Sequence, residues 1–316
     1  MGMDGTDAAA LGTFASTYKL GGFILMGTNI PASDATLRAE TAALRGNDLM
    51  LPRLVAIDEE GGTVKRLPGD MFASGLTLKG LPPAATAQAF SERSAMVRSV
   101  GVTLNFGIIA DTTTNKKSFI YDRVLGATPA VAAANVDAAV HASSGQTLST
   151  LKHFPGHGET AADSHQTIPV IATSYADWMK RDEPPFAAGI AAGADVVMMG
   201  HLQYSAVDSR PASLSKKWHD VLRETLGFKG VIITDAMGML QDAHDPAYAD
   251  AIRNAVLALQ AGNTMLLYVT DPVADPKILV DGIAAAVKRG DISEQLIAAD
   301  AKLALELRSK SASLVK

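Results

Sequence analysis

The stretch Lys152 to Gln166 reads KHFPGHGETAADSHQ and carries three of the chain's seven histidines, together with a lysine, a glutamate and an aspartate. Imidazoles and carboxylates at this density can move protons near neutral pH, orient one another, or ligate a metal. Pro155, Gly156 and Gly158 exclude a continuous helix here. The spacing H-F-P-G-H therefore cannot set two imidazoles on one helical face as H-E-x-x-H does, which leaves a zinc-dependent hydrolase as an alternative and not the leading reading.

Other chemically capable residues sit at the ends of apolar, β-branched runs. Asp58 ends LVAID, Lys152 and His153 end STLKH, His201 ends VVMMGH, and Asp235 ends GVIITD. The runs themselves read as buried parallel strands: Gly22 to Met26, the run closing at Asp58, Gly101 to Phe106, LSTLKHF to Phe154, ADVVMMGH to His201, Gly230 to Asp235, and NTMLLYV to Val269. Segments with helical spacing alternate with them, at Ala35 to Leu49, Ala130 to Ser144, Trp178 to Ala192, Lys216 to Leu226 and Asp250 to Ala261. Gly193, Gly227 and Gly262 close three of these.

Strand and helix in alternation imply an α/β fold with a parallel sheet. Seven strands and a stub at Met1 to Met3 predict a (β/α)8 TIM-type barrel with an incomplete first strand, as a single domain over residues 1–316. A doubly wound open sheet is the runner-up. No G-x-G-x-x-G or Walker loop follows any strand, which weakens a nucleotide-binding reading. Chemistry in a barrel belongs at the C-terminal ends of the strands, where these polar residues fall.

Composition narrows the function classes. With 28 Lys and Arg against 33 Asp and Glu, a net charge of −5 offers no basic field for a nucleic acid backbone. The absence of cysteine removes disulfides, thiolate metal sites and a cysteine nucleophile. Apolar residues are 47% and aromatics 5%, as in α/β packing built on small aliphatic contacts. No apolar run is long enough to span a membrane, and the start, MGMDGTDAAALG, lacks the regions of a signal peptide. That start is abrupt, as for a processed or engineered end. The location is expected to be secreted or in the cell envelope, with the cytoplasm as the alternative, and the protein is expected to be a monomer.

The chain resembles glycoside hydrolase family 3, specifically the bacterial β-N-acetylglucosaminidases. GGFILMGTNI, VAIDEEGGTVKRL, YDRVLG, LKHFPGHGETAADSH, GADVVMMGHLQY and GFKGVIITDAMGM carry the resemblance, which spans nearly all of the sequence. It implies a (β/α)8-type barrel, retaining double displacement, and no cofactor or metal. It also implies Asp235 as nucleophile, His165 as acid/base with Asp163 as its partner, and Asp58, Arg123, Lys152, His153 and His201 around the sugar. His157 and Glu159 shape the loop. One departure stands out: the usual D-Q-E-G-G-R-V reads DEEGGTV here, with Glu59 for Gln and Thr63 for Arg.

Elementary chemistry fits these roles. A retaining glycosidase needs a carboxylate on one face of the sugar and a proton donor on the other. Asp235 ends a strand and is followed by small or flexible residues, though an aspartate there could equally cap the next helix. Histidine, with an unperturbed pKa near ~6.5, suits acid/base work when a carboxylate orients its ring. The expected activity is exo-removal of terminal GlcNAc from peptidoglycan-derived muropeptides or chitooligosaccharides. Phosphorolysis, another family 3 β-glycosidase activity, and a non-catalytic sugar-binding barrel are rivals. A further rival uses Asp58–Glu59 as the acidic pair of an acetamido-assisted mechanism.

Overall fold

The structure is a computed structural model that describes residues 1–269 and 275–314. Seven parallel strands form its sheet: β1 (Gly22–Leu25), β2 (Leu54–Ile57), β3 (Leu104–Ile109), β4 (Leu148–Phe154), β5 (Val196–Met199), β6 (Val231–Ala236) and β7 (Met265–Leu267). They pair in chain order. Each predicted strand is present.

The sheet is curled. Alternate residues of a strand face one side, and one such set merges into a single interior cluster containing Ile24, Ala56, Phe106, Leu148, Met198, Ile233 and Leu267, so that all seven strands meet there. Leu307 and Leu314 of the C-terminal segment join the same cluster. The opposite set packs outward on helices: Leu25, Val55 and Ile57 against Leu11, Leu37 and Val97, and Leu151, Val197 and Ile232 against Val136, Phe186 and Trp218. Both faces are therefore apolar, which explains runs without polar alternation.

The main sheet holds no eighth strand among the described residues, in contrast to the expected eight-fold barrel; two further short strands, Val170–Ile171 and Gln203–Tyr204, pair only with each other. The stub occupies the gap between the sheet's edges instead. Met1 donates to the Gly22 carbonyl (3.2 Å) and accepts from the Ile24 N–H (3.1 Å), while the Gly2 N–H donates to the Tyr268 carbonyl (2.9 Å). Three bonds bridge β1 to the end of β7.

Two expected helices are interrupted. Trp178 to Ala192 divides at Asp182 into Tyr175–Arg181 and Glu183–Ala191, because Pro184 and Pro185 lack N–H donors and start a helix better than they continue one. Lys216 to Leu226 begins as the α-helix Lys216–Asp220 and ends in a wider π-type turn, Val221–Thr225.

An aromatic cluster fixes the end of β4. Phe154 meets Phe186 (5.2 Å), Trp178 (5.8 Å) and Trp218 (5.9 Å) edge to face, contacts worth about 0.5–1.5 kcal/mol each beyond burial. The Trp178 indole donates to the Pro155 carbonyl and the Tyr204 hydroxyl to the Gly156 carbonyl, both at 2.7 Å. These bonds steer the chain out of the strand. Gly156 takes φ +139, and a Cβ at Gly158 would collide with the Thr112 carbonyl oxygen. The two glycines are thus required by backbone shape and by close approach.

Candidate active site

An open cleft of ≈ 490 Å³ lies at the C-terminal ends of the strands. Asp58, Arg123, Lys152, His153, His165 and Asp235 all line it. Of the expected site residues, Asp163 and His201 do not.

Its floor is a lattice of buried and half-buried charges. The Lys152 ammonium contacts Asp58 Oδ1 (2.8 Å) and Glu60 Oε1 (2.7 Å). Arg123 grips Glu60 with both arms, Nε to Oε2 at 2.8 Å and a terminal nitrogen to Oε1 at 2.7 Å. Arg66 reaches Asp58 Oδ2 at 3.3 Å. Burial alone would raise both carboxyl pKa values, but Lys152, Arg66 and Arg123 hold Asp58 below its usual range, and Arg123 and Lys152 bring Glu60 down to about 2. Burial likewise disfavours the Lys152 charge, and the two carboxylates outweigh it. Each ion is stabilised by the others.

His153 is fixed from behind by Asp111. The Asp111 carboxylate accepts from the backbone N–H of His153 (3.2 Å) and of His157 (2.7 Å), and lies 2.8 Å from His153 Nδ1. Nδ1 therefore carries the proton and Nε2 faces Arg123 at 3.4 Å. Burial, reinforced by Arg123 and Lys152, pushes the His153 pKa well below its ordinary value. This imidazole is neutral.

Asp235 lies on β6, where its Oδ1 accepts the N–H of Ala236 (2.7 Å). It does not cap the short helix Met239–Asp242, whose N-cap is Gly238. Burial would raise its pKa, and His153, His201, the Ala236 N–H and Lys152 together lower it. It stands as a carboxylate facing the cleft. His201 is one layer deeper, with Nδ1 at 2.7 Å from the Ser213 hydroxyl and Nε2 at 3.0 Å from the Ala236 carbonyl. It steadies the strand end bearing Asp235 from below.

His165 sits at the rim, with 61% of its side chain exposed. Asp163 Oδ1 accepts from its backbone N–H (2.9 Å) and lies 2.8 Å from its Nδ1. Burial slightly disfavours the Asp163 charge, but those two bonds hold its pKa below the usual range. Nε2 is left for the cleft. The Phe119 ring packs against His165 (5.8 Å), His157 (5.5 Å) and the Arg123 guanidinium (5.9 Å), joining rim to floor.

The loop between them is locally tied. Glu159 pairs with Arg181, and the Thr112 hydroxyl donates to the Arg181 carbonyl. Neither ring nitrogen of buried His157 has a hydrogen-bond partner among the described residues. Among the described residues no three His, Asp or Glu side chains converge as metal ligands do.

Glu59 points away from the cleft. Its Oε2 accepts from the backbone N–H groups of Arg66 (2.9 Å) and Leu67 (3.0 Å), so it clamps the turn after β2. Asp58 and Glu59 are therefore not brought together as a catalytic pair. Glu60, Asp111, Arg66 and Phe119 escaped the sequence reading. Asp111 had a readable signal, since it follows the apolar end of β3, but β3 runs to Ile109 and not to Phe106.

The model of the glycosyl hydrolase family 3 N terminal domain matches residues 4–307. A beta-hexosaminidase of Nitrosomonas eutropha is 34% identical over 280 residues, 82% of this chain and 76% of that protein. One from Xylella fastidiosa is 35% identical over 289 residues, 87% of this chain and 82% of its own length. A family 3 beta-N-acetylglucosaminidase structure from Paenibacillus superposes with a TM-score of 0.87 at 29% identity, covering 99% of this chain. The chain spans only 61% of that protein.

Proposed function

Because this chain belongs to glycosyl hydrolase family 3, we propose that it is a retaining exo-β-N-acetylglucosaminidase that removes terminal GlcNAc through a glycosyl-Asp235 intermediate. One observation carries the reading: Asp235, ionised on a half-buried strand end, and His165, exposed on a separate loop, line the same cleft. The relatives named beta-hexosaminidase support the sugar specificity.

In the first step Asp235 attacks the anomeric carbon while His165 Nε2 protonates the departing glycosidic oxygen. The Asp163 carboxylate stabilises the ring charge before it is spent. In the second, neutral His165 takes a proton from water, which attacks the same carbon and releases Asp235. Asp58 and Lys152 bond sugar hydroxyls, Arg123 and His153 complete the floor, and His201 acts through the strand end. No step calls on a cofactor.

A slow 2-fluoro glycosyl donor is expected to label Asp235 covalently, seen as a mass shift of the peptide containing it. Asp235→Ala is expected to lower kcat by on the order of 10⁴-fold or more. Near-normal turnover by that variant, with no labelled peptide in the wild type, rejects the nucleophile assignment.

A further inference from the structure

The cleft's charges are unevenly matched. Five carboxylates line it against three fixed cations, among the described residues. All three cations are committed to the floor: Lys152 to Asp58 and Glu60, Arg123 to Glu60, and Arg66 to Asp58. Asp235 faces the reacting carbon. The remaining two, Asp122 and Asp242, are exposed and have neither an ion pair nor a side-chain hydrogen bond among the described residues.

Thr63 sharpens the asymmetry. It lines the cleft, lies between the floor carboxylates and Arg66 in sequence, and adds no positive charge. The neighbouring Lys65 gives no compensation, because its ammonium donates to the Asp70 carbonyl (2.7 Å) and does not line the cleft. A ligand entering the cleft thus meets unneutralised negative charge at Asp122 and Asp242. Clefts lined by one sign of charge concentrate ligands of the opposite sign and repel those of the same sign.

We infer that the cleft selects against negatively charged aglycones, so that the substrates are neutral or cationic glucosamine-type oligosaccharides and not muramic-acid-bearing glycans. This rests on the N-acetylglucosaminidase reading above. Muramic acid carries a lactyl carboxylate on its sugar, and attached peptides add more, so each such aglycone brings anions to Asp122 and Asp242. Chitooligosaccharides bring none, and partly deacetylated ones bring ammonium groups.

The test compares β-1,4-linked GlcNAc–MurNAc with its lactyl methyl ester, which differ in charge and little in shape, alongside GlcNAc–GlcNAc and GlcNAc–GlcN. At low salt kcat/KM is expected to be about 10-fold lower for the acid than for the ester, with the gap shrinking severalfold at high salt. GlcNAc–GlcN is expected to match or exceed GlcNAc–GlcNAc. Asp122→Asn combined with Asp242→Asn, and separately Thr63→Arg, are expected to raise the acid-to-ester ratio toward one. Equal rates for acid and ester in the wild-type protein, or a gap indifferent to salt and to both variants, overturn the inference while GlcNAc release stands. Failure to release GlcNAc from these disaccharides and from nitrophenyl GlcNAc removes the enzymatic reading, and the inference with it.

Discussion

Lys152 and His165 leave the same stretch of chain but end in opposite environments. Lys152 is buried between Asp58 and Glu60, on a strand end locked by Phe154 and its aromatic neighbours. His165 is mostly exposed and is oriented by Asp163 two residues away and by the edge of Phe119. His153 shows why the division matters. Burial and two cations keep it neutral, and both of its ring nitrogens face partners, Asp111 and Arg123. The contacts that fix such a histidine also stop it from exchanging protons with a leaving group and then with water. Floor residues can hold charge in place, whereas a proton shuttle needs the rim.

Replacing His165 tests this division with the largest effect. His165→Ala is expected to lower kcat/KM by ~100 to 10,000-fold on a natural disaccharide, whose basic leaving oxygen needs protonation, and far less on an activated nitrophenyl GlcNAc. Asp163→Asn should show the same selectivity in weaker form, because the imidazole remains but is less well oriented. Equal losses on both substrates, with a lower Tm, would make His165 a structural residue and erase the contrast between rim and floor.

Breaking the floor should be felt first as stability. Glu60→Gln leaves Arg123 and Lys152 without the carboxylate that both contact, and unpairing buried charge costs about 3–5 kcal/mol. The cost depends on pH in a defined direction. Glu60 has its pKa depressed from 4.5 to about 2, so its contribution is complete above pH 4.5 and is lost as pH falls toward 2. Thermal unfolding of the variant and wild type is expected to differ most at neutral pH and to converge in acid. A constant difference down to pH 2 would mean that Glu60 acts by packing and not by charge.

How much of this was legible depends on whether the signal was local. All seven strands were readable because both faces of the sheet are apolar, so each strand is a continuous aliphatic run. The strand-end residues Asp58, Lys152, His153 and Asp235 followed from those runs. Asp111 was hidden because Gly107 breaks the aliphatic pattern within β3 and made the strand seem to end at Phe106. Glu60 gave no signal, since its partners Arg123 and Lys152 are distant in sequence. Met1 to Met3 read as the stub of an incomplete first strand, but only tertiary hydrogen bonds reveal that Met1 and Gly2 bridge the sheet's two edges. The reading of Asp163 and His165 rested on motif resemblance, because nothing in the physics of an exposed A-D-S-H turn sets it apart from a surface loop.

The smallest predicted effect concerns Glu59, the neighbour of two floor carboxylates that behaves unlike either. Burial, with Asp70 beside it, pushes its pKa up from 4.5 to about 7, despite the Arg66 and Leu67 N–H groups that favour its charge. A raised carboxyl pKa means that the folded state holds its proton more tightly than the unfolded chain does. Its stabilising contribution is therefore present below pH 4.5, falls as pH rises through about 7, and stays low above that. Glu59→Gln restores the residue usual in the resembling motif and keeps an oxygen to accept from both backbone N–H groups, but removes the ionisation. The variant is expected to match the wild type near pH 4.5 and to exceed it by about 1–3 kcal/mol at pH 8, a Tm gain of about 1–5 °C. Activity on nitrophenyl GlcNAc should change little, because the side chain turns away from the cleft. A uniform gain at every pH would show that the glutamate's shape, and not its charge, strains the turn after β2. A large loss of activity would move Glu59 into the floor beside Asp58 and Glu60.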